Sequence, residues 1–239
     1  MENNRCLICN QELVIQFDLA QFLIPVLNKQ RRTQSVNDGG VLCADCRQTF
    51  VLIGPEYCPQ CGRHQQNHDI CLDCIRWNKS GVPLVNHALF RYTDSMHDLM
   101  RRYKRYGDYV LVDALKSLIA DQLKEVVASG RFDYFIPLPT DPLHVQSRGF
   151  DTITSIFDTL VPLTLVLTKE STEKPQSQKN RQERMQTKQT FVYCGSMPLS
   201  GRGLLLDDLY TTGRTFYHAR DAIQLHNPNL QLESFSIIR

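Results

Sequence analysis

The chain reads as an α/β protein: a mostly parallel sheet with helices on both faces, preceded by a small cysteine-rich module. Three observations predict this. Before residue 80, four Cys-x-x-Cys pairs crowd a polar stretch. After Pro83, short leucine-rich and β-branched runs alternate with longer segments of helical period, the pattern of strands joined by crossover helices. Near residue 205, an apolar run meets two acids and a threonine-rich turn, "GLLLDDLYTTGRT" (Gly203–Thr215). That is how a strand delivers a ligand site to the carboxyl edge of such a sheet.

The chain has 239 residues, 42% hydrophobic and 22% charged, enough for a globular domain and a smaller module. We place the boundary between residues 1–80 and 84–239. A net charge of +2 is too small to imply a nucleic-acid partner, so local clusters must make that case. The first residues lack a charged-then-apolar leader, and no apolar run reaches the roughly 18 residues of a membrane span. A cytoplasmic protein with no transmembrane segment is expected.

Cys6/Cys9, Cys43/Cys46, Cys58/Cys61 and Cys71/Cys74 form the four pairs, and Cys194 stands alone. In a reducing compartment such pairs bind metal rather than form disulfides. One Cys-x-x-Cys turn presents two sulfurs to one ion, so two turns complete a Zn2+ tetrahedron and eight cysteines make two sites. Sequential pairing is the simplest, and spacing also permits cross-bracing. Four protein sulfurs leave no position for water, so both sites are structural. In "CPQCG" (Cys58–Gly62), Gly62 suits the positive φ of a zinc knuckle. A module this small depends on its metal for much of its folding free energy. Between Cys9 and Cys43, "FDLAQFLIPVL" predicts a short helix broken by Pro25. The polar loop after it carries Lys29, Arg31 and Arg32 and reads as a solvated loop or, alternatively, as a phosphate contact.

In the larger domain, "HALFRYT" predicts a strand, then "DSMHDLMRRYKRY" a helix capped by Asp94 and stopped by Gly107. Leu111, Leu115, Leu118, Ile119, Leu123 and Val126 keep a helical period. "YFIPLP" is a strand into a proline-rich turn. "LHVQSRGFDTITSIFDTLV" is largely helical, and "LTLVLT" a strand. The polar stretch Lys169–Thr190 follows. "TFVYC", "GLLLDD" and "LESFSII" add strands, and Thr215–Leu225 a helix.

The acidic-pair loop suits a sugar phosphate. Asp207 and Asp208 can accept hydrogen bonds from ribose hydroxyls. The turn runs into a helix whose N-terminal N–H groups and dipole favour a phosphate. Gly213 permits close approach, Thr211, Thr212 and Thr215 offer hydroxyls, and Arg214 offers a charge.

This pattern resembles the phosphoribosyl-pyrophosphate (PRPP) loop of type I phosphoribosyltransferases. "KRYGD" (Lys104–Asp108), "PLP" (Pro137–Pro139), "RGF" (Arg148–Phe150) and "QSQKNRQERM" (Gln176–Met185) fall around it in the order of the ComF/ComFC family. That family also carries an N-terminal double zinc ribbon. The resemblance implies a phosphoribosyltransferase-like domain. It implies a role in natural competence, taking transforming single-stranded DNA across the cytoplasmic membrane, and a ComFA-like helicase ATPase as partner. Through such partners the protein would work at the inner face of the membrane. For the pocket it implies that Asp207 and Asp208 hold the ribose hydroxyls and Thr211–Thr215 the 5′-phosphate. Pro137, Leu138, Pro139 and Thr140 would lie near pyrophosphate with Arg148, and Mg2+ would bind with PRPP. Two positions depart from the family: Asp151 stands where Asn is usual, and Arg214 where a small residue is usual.

Three features bear on turnover. Purine-salvage relatives place a basic carboxylate two or three residues beyond the acidic pair, where this chain has Tyr210 and Thr211. Cys6 belongs to a zinc pair, which argues against amidophosphoribosyl transfer. Lys169–Thr190 matches the place of a mobile loop that closes over pyrophosphate. The reading is therefore a competence protein with a PRPP pocket, or an active phosphoribosyltransferase with an unidentified acceptor. For nucleic acid, "RRYKRY" offers Arg101, Arg102, Tyr103, Lys104 and Arg105. Basic side chains can track phosphates and tyrosines stack on bases. At helical spacing the two tyrosines can instead pack inward.

Overall fold

The computed structural model describes residues 4–13, 40–79, 81, 83–170 and 190–239. The helix expected around Pro25, the loop with Lys29, Arg31 and Arg32, and residues 171–189 of the expected mobile loop lie outside them.

Four parallel strands form the central sheet: β1 (Asn86–Phe90), β2 (Tyr134–Pro137), β5 (Gly201–Leu209) and β6 (Leu230–Ile238), in the order β1-β6-β5-β2. A second, antiparallel pair, β3 (Leu167–Lys169) and β4 (Phe191–Tyr193), stands apart from it. The α/β expectation is met. The expected strand "LTLVLT" is split: Leu163 makes a lone parallel bridge to Phe135, and only Leu167–Lys169 pairs with β4.

The helices in chain order are α1 (Ala44–Gln48), α2 (Leu72–Lys79), α3 (Asp94–Arg105), α4 (Leu111–Gly130), α5 (Pro142–Arg148), α6 (Thr152–Phe157) and α7 (Arg214–Gln224). The cap of α3 is Thr93, whose hydroxyl accepts from the Met96 N–H, so Asp94 is the first helical residue instead. Its side chains at Met96, Leu99, Met100 and Tyr103 are buried, the i, i+3, i+4, i+7 stripe of a core-facing helix. The expected long helix after residue 143 breaks at Gly149, whose φ of 84° ends α5 in the left-handed region. Asp151 then caps α6, accepting from the N–H groups of Ile153 and Thr154.

Strand alternation divides the core in two. Leu204 and Leu206 of β5 face a cluster with α3, α4 and α6, and Leu205 faces a cluster with α7. The cysteine-rich segments join these cores. Cys6, Leu42 and Phe50 belong to the first cluster, and Cys58, Cys61, Cys71 and Cys74 to the second with Leu84 and Tyr217. Residues 51–53 also bind along β1, with Ile53 N–H donating to Leu89 and Arg91 N–H to Val51. The ribbons thus draw stability from burial against the larger domain as well as from their ligands. No helix among the described residues is long and apolar enough to cross a membrane.

Candidate functional site

The cysteines sort sequentially. Cys6, Cys9, Cys43 and Cys46 gather in one cluster and Cys58, Cys61, Cys71 and Cys74 in another, the sulfurs of each within 4.8 Å of one another. The pairs Cys9–Cys43, Cys58–Cys74 and Cys61–Cys71 stand 3.7, 3.8 and 3.7 Å apart. A tetrahedron of Zn–S bonds near 2.3 Å requires sulfurs about 3.8 Å apart, so the residues fit zinc and the cross-braced alternative does not apply. Both clusters supply four sulfurs, the donor set of structural zinc. Gly62 takes φ 71° after the Cys58/Cys61 turn, and a Cβ there would meet the Ala88 methyl at 2.7 Å. In the second cluster, a hydrogen bond from Cys74 and the nearby Arg239 charge pull the Cys61 thiol down to about 4.

At the carboxyl edge of the sheet, loops after β2 and β5 enclose a cavity of about 330 Å3. Leu138, Pro139, Thr140, Arg148, Asp207, Asp208, Thr211, Thr212, Arg214 and Thr215 line it, as do Lys104, Asp141, His144, Thr152, Lys169, Thr190 and His218. Most residues read from the sequence as ligand-binding therefore converge. Two do not reach the wall. Pro137 is the buried last residue of β2, paired with Leu206, and Gly213 is buried at the N-cap of α7.

The acids sit within β5 rather than beyond it, because the strand runs through Leu209. Alternation sends Asp208 to the face of Leu204 and Leu206, where Lys104 of α3 forms an ion pair with its Oδ2. Asp208 is buried and Asp207 is partly open. Asp207 Oδ1 accepts from the Asp208 N–H at 2.9 Å. Burial first, and then the Asp208 carboxylate, push Asp207 up to about 7.

After the acids, the Tyr210 N–H pairs with Ile238 across the sheet, and its ring stacks on Phe216. Gly213 then turns the chain into α7 at φ 83°, where an added Cβ would lie 2.2 Å from the Tyr210 hydroxyl. This close approach demands glycine. Across the cavity, Leu138 N–H still pairs with Leu206, and Thr140 N–H donates to Asp151 Oδ2 at 3.1 Å. The departure at Asp151 thus has a structural role: one carboxylate caps α6 and anchors the turn after β2. Arg148 lies near Asp208 and Asp151, and its own burial lowers its pKa. His218, one turn along α7 from Arg214, has its pKa lowered by burial and then by the Arg214 charge. His144 and His218 were not read from the sequence. Position 218 was detectable only as the i+4 neighbour of Arg214 on the cavity side of α7.

Two residues of the basic segment require correction. Tyr103 is fully buried, against Phe150, with its hydroxyl donating to the Thr152 carbonyl, so it cannot stack on a base. Lys104 faces the cavity and not the outer surface. Arg102 pairs with Asp108 and reaches the Ile8 carbonyl. Arg101 and Arg105 are exposed, and the Arg101 guanidinium lies 5.5 Å over the exposed Tyr106 ring.

Comparison with known proteins agrees with this architecture. The double zinc ribbon domain family matches residues 31–75, a span that takes in six of the eight paired cysteines. Competence protein ComFC of Streptococcus pneumoniae is 29% identical over 235 residues, covering 98% of this chain and all of that protein. Competence protein ComFC of Bacillus subtilis is 29% identical over 203 residues, 83% of this chain and 84% of that one.

Proposed function

We propose that this chain, which resembles the ComF/ComFC family along nearly its whole length, is a competence protein whose cavity binds PRPP or a related ribose phosphate. The observation that supports this most is the convergence of four groups on one cavity: the acidic pair, the Thr211–Thr215 turn, the Leu138–Thr140 turn and Arg148. Ionised Asp207 accepts from a ribose hydroxyl. The loop N–H groups and the α7 dipole hold the 5′-phosphate, with Arg214 adding charge. Arg148 and the turn after β2 face the pyrophosphate end, and Lys169 lies on the same wall. Mg2+, which would enter with PRPP, would supply neutralising charge at the pyrophosphate.

In this reading the competence role is uptake of transforming single-stranded DNA at the inner face of the cytoplasmic membrane, with a ComFA-like ATPase. The outer face of α3, with Arg101, Arg105 and Tyr106, is the surface whose chemistry suits a single strand: cations for phosphates and an open ring for stacking. A second reading, transfer of phosphoribose to an unidentified acceptor, is favoured by His218 on the cavity wall, an imidazole able to take a proton.

Calorimetric titration of the zinc-loaded protein with PRPP and Mg2+ tests the pocket. Saturable binding that Asp207→Asn weakens at least tenfold is expected, and no binding by the native protein would refute the reading. Pyrophosphate release on adding candidate acceptors, lost in His218→Ala, would favour transfer.

A further inference from the structure

The carbonyls of the ligand loop are held from behind. Trp77 Nε1 donates to the Thr212 carbonyl at 2.7 Å. Arg239 Nη1 donates to the Thr211 carbonyl at 2.7 Å and to Tyr210 at 3.1 Å, and its guanidinium lies 4.8 Å over the Tyr210 ring. Both residues rest on the second cysteine cluster. Trp77 sits on α2, one turn after Cys74, and Arg239 Nη2 donates to Cys61 Sγ at 3.3 Å. The Trp77 ring also stacks on Tyr217 of α7, with centroids 4.1 Å apart and planes 10° from parallel. Gln60, between Cys58 and Cys61, donates to the Tyr217 hydroxyl. Among the described residues, no hydrogen bond runs from the first cluster's ribbon to this loop.

A trans peptide points its C=O and the following N–H in opposite directions. Three carbonyls drawn toward Trp77 and Arg239 therefore turn the N–H groups of Thr211, Thr212 and Gly213 away from those two side chains, and Thr211 and Thr212 line the cavity. We propose that the second zinc ribbon is a working part of the ligand site: Trp77 and Arg239 are positioning residues that hold the 210–213 backbone with its donors facing the phosphate. Zinc binding at Cys58, Cys61, Cys71 and Cys74 then organises the loop, while the first cluster does not. The inference rests on the reading that this loop takes a sugar phosphate.

Its test uses the full, zinc-loaded chain and two readouts. Trp77→Phe keeps a stacking ring and loses the indole donor, and Arg239→Gln loses the charge and the fork. Without ligand, hydrogen exchange at the amides of residues 211–215 should quicken about three- to tenfold in Trp77→Phe, the effect of one lost hydrogen bond, and at least as much in Arg239→Gln, which loses two. Exchange in α4 and the zinc content should not change. PRPP affinity with Mg2+ should fall by a similar factor. Trp77 is the one tryptophan of the chain. Its emission in the native protein should change on adding PRPP and Mg2+, which serves where a variant fails to fold. Native exchange rates at 211–215 in both variants would overturn the proposal, as would a native emission that PRPP leaves unmoved while calorimetry shows binding. If the native protein binds no PRPP, the functional reading falls and exchange alone decides the positioning role.

Discussion

Asp207→Asn separates what the acidic pair costs the fold from what it gives the ligand. In the unfolded chain Asp207 ionises near 3.8, and in the native site near 7. Between those values the native state keeps a proton that the unfolded state has released, so stability falls as pH rises through the window and levels off above it. The ceiling of that cost is about 4 kcal/mol above pH 7. Burial is its largest cause, Asp208 adds to it, and Lys104 and Lys169 oppose the rise. Asparagine has no charge to desolvate, and its Oδ1 can still accept from the Asp208 N–H. Urea unfolding of both proteins at pH 5.5 and 8.5, with zinc loaded, reads the difference. The variant should be the more stable at both pH values. Its advantage should grow by about 2 kcal/mol between them, since roughly half the window lies above pH 5.5. With an m-value near 2 kcal/mol/M, that is about 1 M in midpoint. PRPP binding should move in the opposite direction, as expected where a proposed ligand site stores unfavourable charge. A gap that is constant with pH, or a variant less stable at pH 8.5, would refute the reasoning.

Other outcomes follow from the same geometry. Gly213→Ala places a Cβ 2.2 Å from the Tyr210 hydroxyl at a positive φ, so it should cost at least about 1–2 kcal/mol in thermal unfolding and lower PRPP affinity more than tenfold. Asp151→Ala removes a helix cap and the anchor of Thr140, and should destabilise by about 1–2 kcal/mol while loosening the turn after β2, measurable by denaturation and by exchange at residues 138–141. Replacing Arg101 and Arg105 by Gln should weaken single-stranded DNA binding and reduce its log–log salt slope by about 1.4. Tyr103→Phe should instead lower stability by about 1 kcal/mol and leave DNA affinity alone, because its hydroxyl serves the Thr152 carbonyl inside the core.

Much of the site was legible in the chain because its parts are local. A Cys-x-x-Cys turn carries its own ligand geometry, and strand, acids, turn and helix at residues 203–215 lie in consecutive order. What failed to read depended on facing and partners. "RRYKRY" has one composition and three destinations. Helical geometry sends Tyr103 to the core, Lys104 to Asp208 and Arg101 to solvent. The cap of α3 fell one residue earlier than read, since Thr93 and Asp94 are both capable and only backbone conformation chooses between them.

The sequence by itself determined the α/β class, the eight sulfurs and the run of strand, acids, threonine-rich turn and helix, since each follows from periodicity or from spacing within one short segment. Tertiary structure decided the sequential pairing of the cysteines, the role of Asp151 and the burial that raises Asp207. It also decided that Trp77 and Arg239 meet the loop from 135 and 28 residues away in sequence. Such contacts link segments whose sequences carry no trace of one another. They exist only once the sheet has placed both on the same side.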